Sequence, residues 1–220
     1  VKPMTKEKLG CSQEMLKLIA CITMLIDHIG AILFPENNIF RIIGRIAFPI
    51  YCFLLIEGAK HTSNQTKYGI RLFVSAIIAE IPYDLAIHNH ITWEYQNIMW
   101  TLLLGYLMIL ICEQCSTFSQ KIVAILPFTA LAEFGCTDYG LIGILTIAVF
   151  YLSYNKSLIW TIVGLTSISI LNTAQIFALL SIIPLMLYNK QKLTHDKIIQ
   201  YGFYLFYPIH LFVLYIINQL

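Results

Sequence analysis

The chain has 220 residues, 58% of them hydrophobic and only 12% charged, with a formal net charge of +2. That is far from the soluble average, and the polar breaks between its apolar runs are too short to hold a separate soluble domain. Residues 1–220 therefore read as one all-α, polytopic membrane bundle whose partner is the lipid bilayer, with no nucleic-acid partner expected.

About nine apolar runs follow one another, each approaching the roughly 20 residues a spanning helix needs. The first, 15–34, is of full membrane length, lacks a small-x-small cleavage pattern and reads as a retained helix. Asp27 and His28 stand inside it. An ionised group facing lipid there would cost roughly 2.5–3.5 kcal/mol, so such residues usually have a task. The second run, 39–58, opens with Arg41 and Arg45 and contains Pro49. The third, 68–88, closes with Glu80 and Asp84 and contains Pro82; both prolines should kink their helices. Then come 97–113, opened by Gln96 and Asn97; 120–135; 139–154, opened by Asp138 and Tyr139; 157–171; 174–188; and 202–219, with His210 just after Pro208. Several runs are short, so the count lies between eight and ten. Segments 120–135 and 157–188 are alternatively re-entrant or irregular.

Charge distribution orients the bundle. With a cytoplasmic N-terminus, all eleven lysines (2, 6, 8, 17, 60, 67, 121, 156, 190, 192 and 197) and Arg71 fall inside, satisfying the positive-inside rule. Only Arg41 and Arg45 fall outside, and basic residues kept on the wrong side need a local reason. The aromatic residues Trp93, Trp100 and Trp160 suit interfacial anchoring. Of six cysteines, Cys112 and Cys115 match C-x-x-C, but no second pair completes a zinc site. They read as small hydrophobes, and no metal is expected.

On this topology Asp27, His28, Arg41, Arg45, Glu80, Asp84, Gln96, Asn97, Asp138, Tyr139 and His210 fall at similar depth in the outer half. Arg41 and Arg45 share a helix face, as do Glu80 and Asp84, so the pairs could meet as a double ion pair. Asp27 is the other partner open to the arginines. Adjacent helix residues point about 100° apart, so Asp27 cannot orient His28. A carboxylate from another helix (Glu80, Asp84 or Asp138) is expected to do so, leaving His28 a general base. His210 is open between catalysis and a bond to a carbonyl freed by Pro208. On the cytoplasmic side Glu57, Lys60, His61, Lys67 and Arg71 gather round one loop. They read either as a lipid-facing basic patch or as a phosphate-binding mouth.

Several stretches carry a family resemblance: Leu16 to Gly30 with Asp27-His28; Arg41 to Pro49 with Glu57-Gly58; Glu80-Ile-Pro-Tyr-Asp84. So do Gln96-Asn97 with Thr101 to Gly105, Asp138-Tyr-Gly140, Gln175 to Leu179 and Tyr207-Pro-Ile-His210. Together they resemble the TraX family, named for the F-pilin acetylase, over nearly the whole chain. The resemblance implies a polytopic acetyltransferase of the bacterial inner (cytoplasmic) membrane. It would take acetyl-CoA as donor and an amine or hydroxyl acceptor, either a pilin-like peptide or an envelope glycan. Under it, His28, Asp27 and Asp84 are the expected catalytic residues. Arg41, Arg45, Glu80, Asn97, Asp138, Tyr139 and His210 would hold substrate, with Arg41 or Asn97 on the oxyanion. Lys60, Lys67 and Arg71 would hold the cofactor. The rival readings are a small ion-coupled transporter and an accessory pilus-assembly subunit.

Overall fold

The computed structural model describes residues 10–154, 156, 158–171, 173–191 and 197–220, with the side chains of 170, 171, 173–175, 197, 198 and 200 outside that description. Lys2, Lys6, Lys8 and Lys192 of the charge argument, the side chains of Lys197 and Gln175, and loop residues 192–196 therefore lie outside the described residues.

The first helix, α1 (Gln13–Leu33), starts where Ser12 accepts the Met15 amide at 3.2 Å and stops just before Pro35, whose ring disfavours helix in the residue ahead of it. The run expected as one helix over 39–58 is two, α2 (Asn38–Gly44) and α3 (Ala47–His61). Pro49 has no N–H to offer the Arg45 carbonyl one turn back, and the helix breaks at that carbonyl instead of bending at the proline itself. By contrast α4 (Gln65–His88) continues through Pro82. It ends at Asn89 in the left-handed region, φ +61°, a conformation asparagine tolerates better than most residues.

Next come α5 (Ile98–Gln114), capped by Asn97, and α6 (Phe118–Phe134), opened by a reciprocal Thr117–Gln120 capping box. They are followed by α7 (Gly140–Ser153) and α8 (Leu158–Leu171). The irregularity expected over 157–188 is confined to its second half, a 3-10 segment (Thr173–Ser181) and the short α9 (Ile182–Met186), while α6 and α8 are regular. The last helix is α10 (Lys197–Gln219).

Nine helical segments thus stand where the apolar runs predict them, and no strand occurs among the described residues. Among the described residues, only Gln13–Leu33, Asn38–His61 and Tyr201–Gln219 are both long and apolar enough to cross a membrane. The other apolar helices are shorter, and α4 carries Arg71, Glu80 and Asp84.

α3 is the central element. Most of its residues from Ala47 to Ala59 are buried, and it packs on α1, α5, α7 and the 3-10 segment. α10 fits between α1 and α4, and α5, α6, α7 and α8 continue round the other side. Outward faces stay apolar: Ile70, Phe73, Val74, Ile77, Ile78 and Ile81 are all exposed on α4. A hydrocarbon environment satisfies such a face, so contact between helices must come from close packing rather than from escape from water. Gly105 shows this: a Cβ there would collide with Ile147 of α7.

Short backbone ties close both ends. Cys11 pairs with Tyr188 at one end, Gln96 with Thr137 at the other. The first will be called the basic end, since Lys17, His61 and Lys190 are near it; the second is the Asp138 end.

Candidate active site in the central cavity

A cavity of about 730 Å³ runs through the bundle. Gln13, Lys17, His61, Arg71 and Lys190 line it at the basic end; Asp27, His28, Gly44, Asp138 and Tyr139 line it at the other. Between them the wall is rich in tyrosine, including Tyr51, Tyr68, Tyr204 and Tyr207. Tyrosine presents an apolar ring with a polar tip, so this passage suits a long ligand of mixed polarity.

At the deep end Asp27 holds both arginines. Its Oδ2 lies 2.5 Å from Nη1 of Arg41 and its Oδ1 lies 3.8 Å from Nη2 of Arg45. α2 makes this possible through Gly44, where a Cβ would collide with the Asp27 carboxylate. Arg45 Nη1 also donates to the Tyr139 hydroxyl at 3.1 Å. Tyr139 sits at φ +66° ahead of α7, its ring stacked on Phe48 at 4.1 Å. Beside it Asp138, in the α6–α7 loop, has its carboxyl pushed up to about 6 because burial outweighs the pull of Arg45. Its backbone carbonyl accepts from the Thr101 hydroxyl.

The double ion pair with Glu80 and Asp84 is not formed. Glu80 Oε2 accepts from Trp100 Nε1 at 2.9 Å and from the Asn97 side chain; Asp84 Oδ2 accepts the Thr92 amide at 3.0 Å. These bonds fasten the 89–97 loop and the start of α5 onto the end of α4. Asn97, fully buried, is committed to the Ala76 carbonyl, Glu80 and the Met99 amide. Glu80, Asp84 and Asn97 all lie off the cavity wall. In the structure they form a clasp between α4 and α5. Trp100, expected as an interfacial anchor, belongs to the same clasp; Trp93 and Trp160 are exposed.

His28 has a partner that the sequence did not suggest. Its Nδ1 lies 2.7 Å from Nε2 of His210, and Nδ1 of His210 lies 2.7 Å from the Phe206 carbonyl. A carbonyl can only accept, so the network assigns the proton on His210 to Nδ1 and leaves Nε2 as an acceptor. His28 Nδ1 must then donate, and His28 Nε2 keeps its lone pair. No carboxylate orients His28. The expected role passes to a histidine, itself fixed by a backbone carbonyl. That carbonyl belongs to Phe206; the one Pro208 leaves free, four residues back, is that of Tyr204.

At the basic end the expected cofactor residues separate. Lys60 turns to Glu113, 3.1 Å away, and lies over the rings of Tyr151 and Tyr154. Lys67 is exposed at the start of α4 and does not line the cavity; Arg71 does. Lys17 and Lys190, which sequence reasoning left out of the site, take their places in the wall. For Lys17 the signal was present: eleven residues before His28 is close to three full turns, which puts both on one face of α1. Glu57, 7% exposed, also lines the cavity, accepting from the hydroxyls of Tyr154 at 2.5 Å and Tyr188 at 3.2 Å. Cys112 and Cys115 are free thiols, and no group of His, Cys, Asp or Glu able to hold a metal occurs among the described residues.

A family model described as TraX protein matches residues 12–218. The probable fimbrial assembly protein FimC, serogroup H1, of Dichelobacter nodosus is 30% identical, over 92% of this chain and 94% of its own. Protein TraX of Escherichia coli is 29% identical over 64% of this chain and 56% of its own. Uncharacterized protein RP591 of Rickettsia prowazekii is 37% identical over 42% of this chain and 34% of its own. No solved structure matches. The chain belongs to the TraX family.

Proposed function

We propose that this TraX-family protein is a membrane-embedded acetyltransferase of the bacterial inner membrane, with its N-terminus and basic end in the cytoplasm. Acetyl-CoA enters at the basic end and its thioester reaches the deep end of the cavity. The acceptor is an amine or hydroxyl of a pilin-like peptide or an envelope glycan. The observation that carries this reading is the chain from the Phe206 carbonyl through His210 to His28, a residue of the cavity wall whose other ring nitrogen keeps its lone pair.

His28 Nε2 takes the acceptor's proton as the nucleophile attacks the thioester carbon. The imidazolium so formed donates through Nδ1 to His210 and then returns the proton to the departing thiolate. A positioned base of this kind contributes roughly 10²–10⁴-fold. The tetrahedral oxyanion needs a donor aimed at it. Tyr139 serves: its oxygen already accepts from Arg45, so its own proton is free for the cavity. Arg41 and Arg45 then act through Tyr139 and Asp27 rather than on substrate, since neither arginine lines the wall. Asn97 is too fully engaged to serve as the oxyanion donor first expected of it.

The test is acetyl transfer by protein purified in detergent, with products identified by mass spectrometry from cells with and without the chain. His28→Ala should insert and stay monodisperse yet lose roughly 10²–10⁴ in rate. Full activity in that variant ends the assignment of His28. The printed name of the Dichelobacter relative favours a second reading, an accessory subunit of fimbrial assembly. That reading predicts normal pilus assembly with His28→Ala and no transfer by the wild type.

A further inference from the structure

Arg71 lines the basic mouth of the cavity with its Nε buried and without a hydrogen-bond partner. Its guanidinium is held over the Tyr68 ring, 5.4 Å from the centroid. A buried guanidinium donor left unmade is unfavourable, and an anion is the ligand that satisfies it best. Lys17, with its ammonium 5.2 Å from the Phe203 ring, and Lys190, held in the left-handed region at φ +61°, line the same mouth. Glu57, the one carboxylate among the described residues that lines this end, is engaged by Tyr154 and Tyr188.

The helix rise also sets the spacing between the mouth and the base. Lys17 and His28 lie on one face of α1, with an axial rise of about 16 Å between their backbone positions at 1.5 Å per residue. A phosphopantetheine arm, extended from sulfur to phosphorus, spans about 15 Å at the rise of an extended chain of single and amide bonds. With its sulfur at His28, its phosphate falls at Lys17. The wall between, with Tyr51, Leu54 and Tyr204, offers hydroxyls for the arm's amides and apolar surface for its methyl groups.

We infer that Lys17, Arg71 and Lys190 form a phosphate subsite. It measures the donor by the length of its phosphopantetheine arm, whether that arm belongs to free coenzyme A or to a carrier protein. This deepens the acetyl-transfer reading and rests on it for the identity of the group at His28. The experiment compares acetyl-CoA, S-acetylphosphopantetheine, S-acetylpantetheine and an acetylated carrier protein as donors, and measures coenzyme A binding separately by calorimetry. Removal of the phosphate should raise KM by roughly 10–100-fold, the worth of one or two charge-assisted hydrogen bonds, with the effect on KM rather than on kcat. Arg71→Met and Lys17→Met should weaken coenzyme A binding by a similar factor and abolish discrimination between acetylpantetheine and its phosphate. Arg71→Lys should recover part of both. Free phosphopantetheine acting as well as coenzyme A, or the carrier protein surpassing both, supports the subsite and identifies the source of the arm. Equal KM for acetylpantetheine and acetyl-CoA in the wild type overturns it. If no donor is used but coenzyme A still binds through Arg71, the subsite stands and the transferase reading falls.

Discussion

Two like-charged pairs, each spaced four residues apart, meet opposite fates in this bundle. Arg41 and Arg45 at the end of α2 converge on the carboxylate of Asp27, which lines the cavity. Glu80 and Asp84 on α4 meet no cation within ion-pair distance among the described residues. Neutral donors (Trp100, Asn97 and the Thr92 amide) satisfy one oxygen of each, and Glu80 Oε1 and Asp84 Oδ1 are buried without a partner. The spacing puts each pair on a helix face in both cases. What differs is the neighbour that can reach that face. Gly44 removes a side chain where α1 crosses α2 and lets Asp27 in, whereas α4 faces the start of α5 with its indole and amide. An identical spacing therefore builds a charged site in one place and a clasp in the other.

The largest effect should come from closing the gap. Gly44→Ala drives a methyl group into the Asp27 carboxylate, and separating that charge from its arginines should remove about 3–5 kcal/mol of stability. Thermal unfolding in detergent would show it. Asp27→Asn should lose less, because Arg41 is half exposed and keeps its hydration. A Gly44→Ala protein as stable as the wild type would mean that the two regions do not differ as described.

Tyr139→Phe should come next. It keeps the ring on Phe48 but deletes the proposed oxyanion donor, and the rate should fall by roughly 10²–10³ with little change in melting temperature. If the rate holds, the arginine pair has no route to the reaction through Tyr139.

A smaller effect concerns pH. The Asp138 carboxyl, ordinarily near 3.8, is raised to about 6 in the fold. The folded chain therefore binds that proton more tightly than the unfolded one. This contribution to stability is complete below about pH 4 and is lost as pH rises through about 6. Melting temperature should decline over that window in the wild type and decline less in Asp138→Asn. Parallel profiles for the two proteins would exclude Asp138 as the titrating group.

The smallest change should follow from Glu80→Gln. Glutamine keeps an acceptor for Trp100 and removes a half-buried charge that meets no cation among the described residues, so stability should shift by no more than about 1 kcal/mol. Acetyl transfer should change by less than threefold, since Glu80 is off the cavity wall. A loss as large as that from Tyr139→Phe would return α4 to the active site.

Most of the helix pattern was legible. Runs of apolar residues bounded by Pro35, Asn64, Asn97 and Thr117 correspond to α1 through α6 because capping and proline effects act within a few residues. The break at Arg45 was not, although Pro49 announced a distortion nearby, since a missing N–H is felt one turn upstream. Site residues were legible by type and depth but not by partner. His28 and His210 lie 182 positions apart, and no local rule links them. Lys60 and Lys67 drew attention by proximity to a loop, while Lys17 hid inside an apolar helix.

By itself the sequence determined that this chain is a helical bundle with expensive groups buried in it, because composition and periodicity follow from the free energy of placing each residue against lipid or protein. It also determined which faces carry those groups, because helical spacing is geometry fixed by the backbone. Only the tertiary structure decided that Asp27 takes both arginines, that one histidine orients another, and that Lys17 rather than Lys60 faces the cavity. Those choices depend on which helix lies beside which, and on single gaps such as Gly44. Packing resolves them over distances of a few ångströms, and no pattern within one helix encodes them.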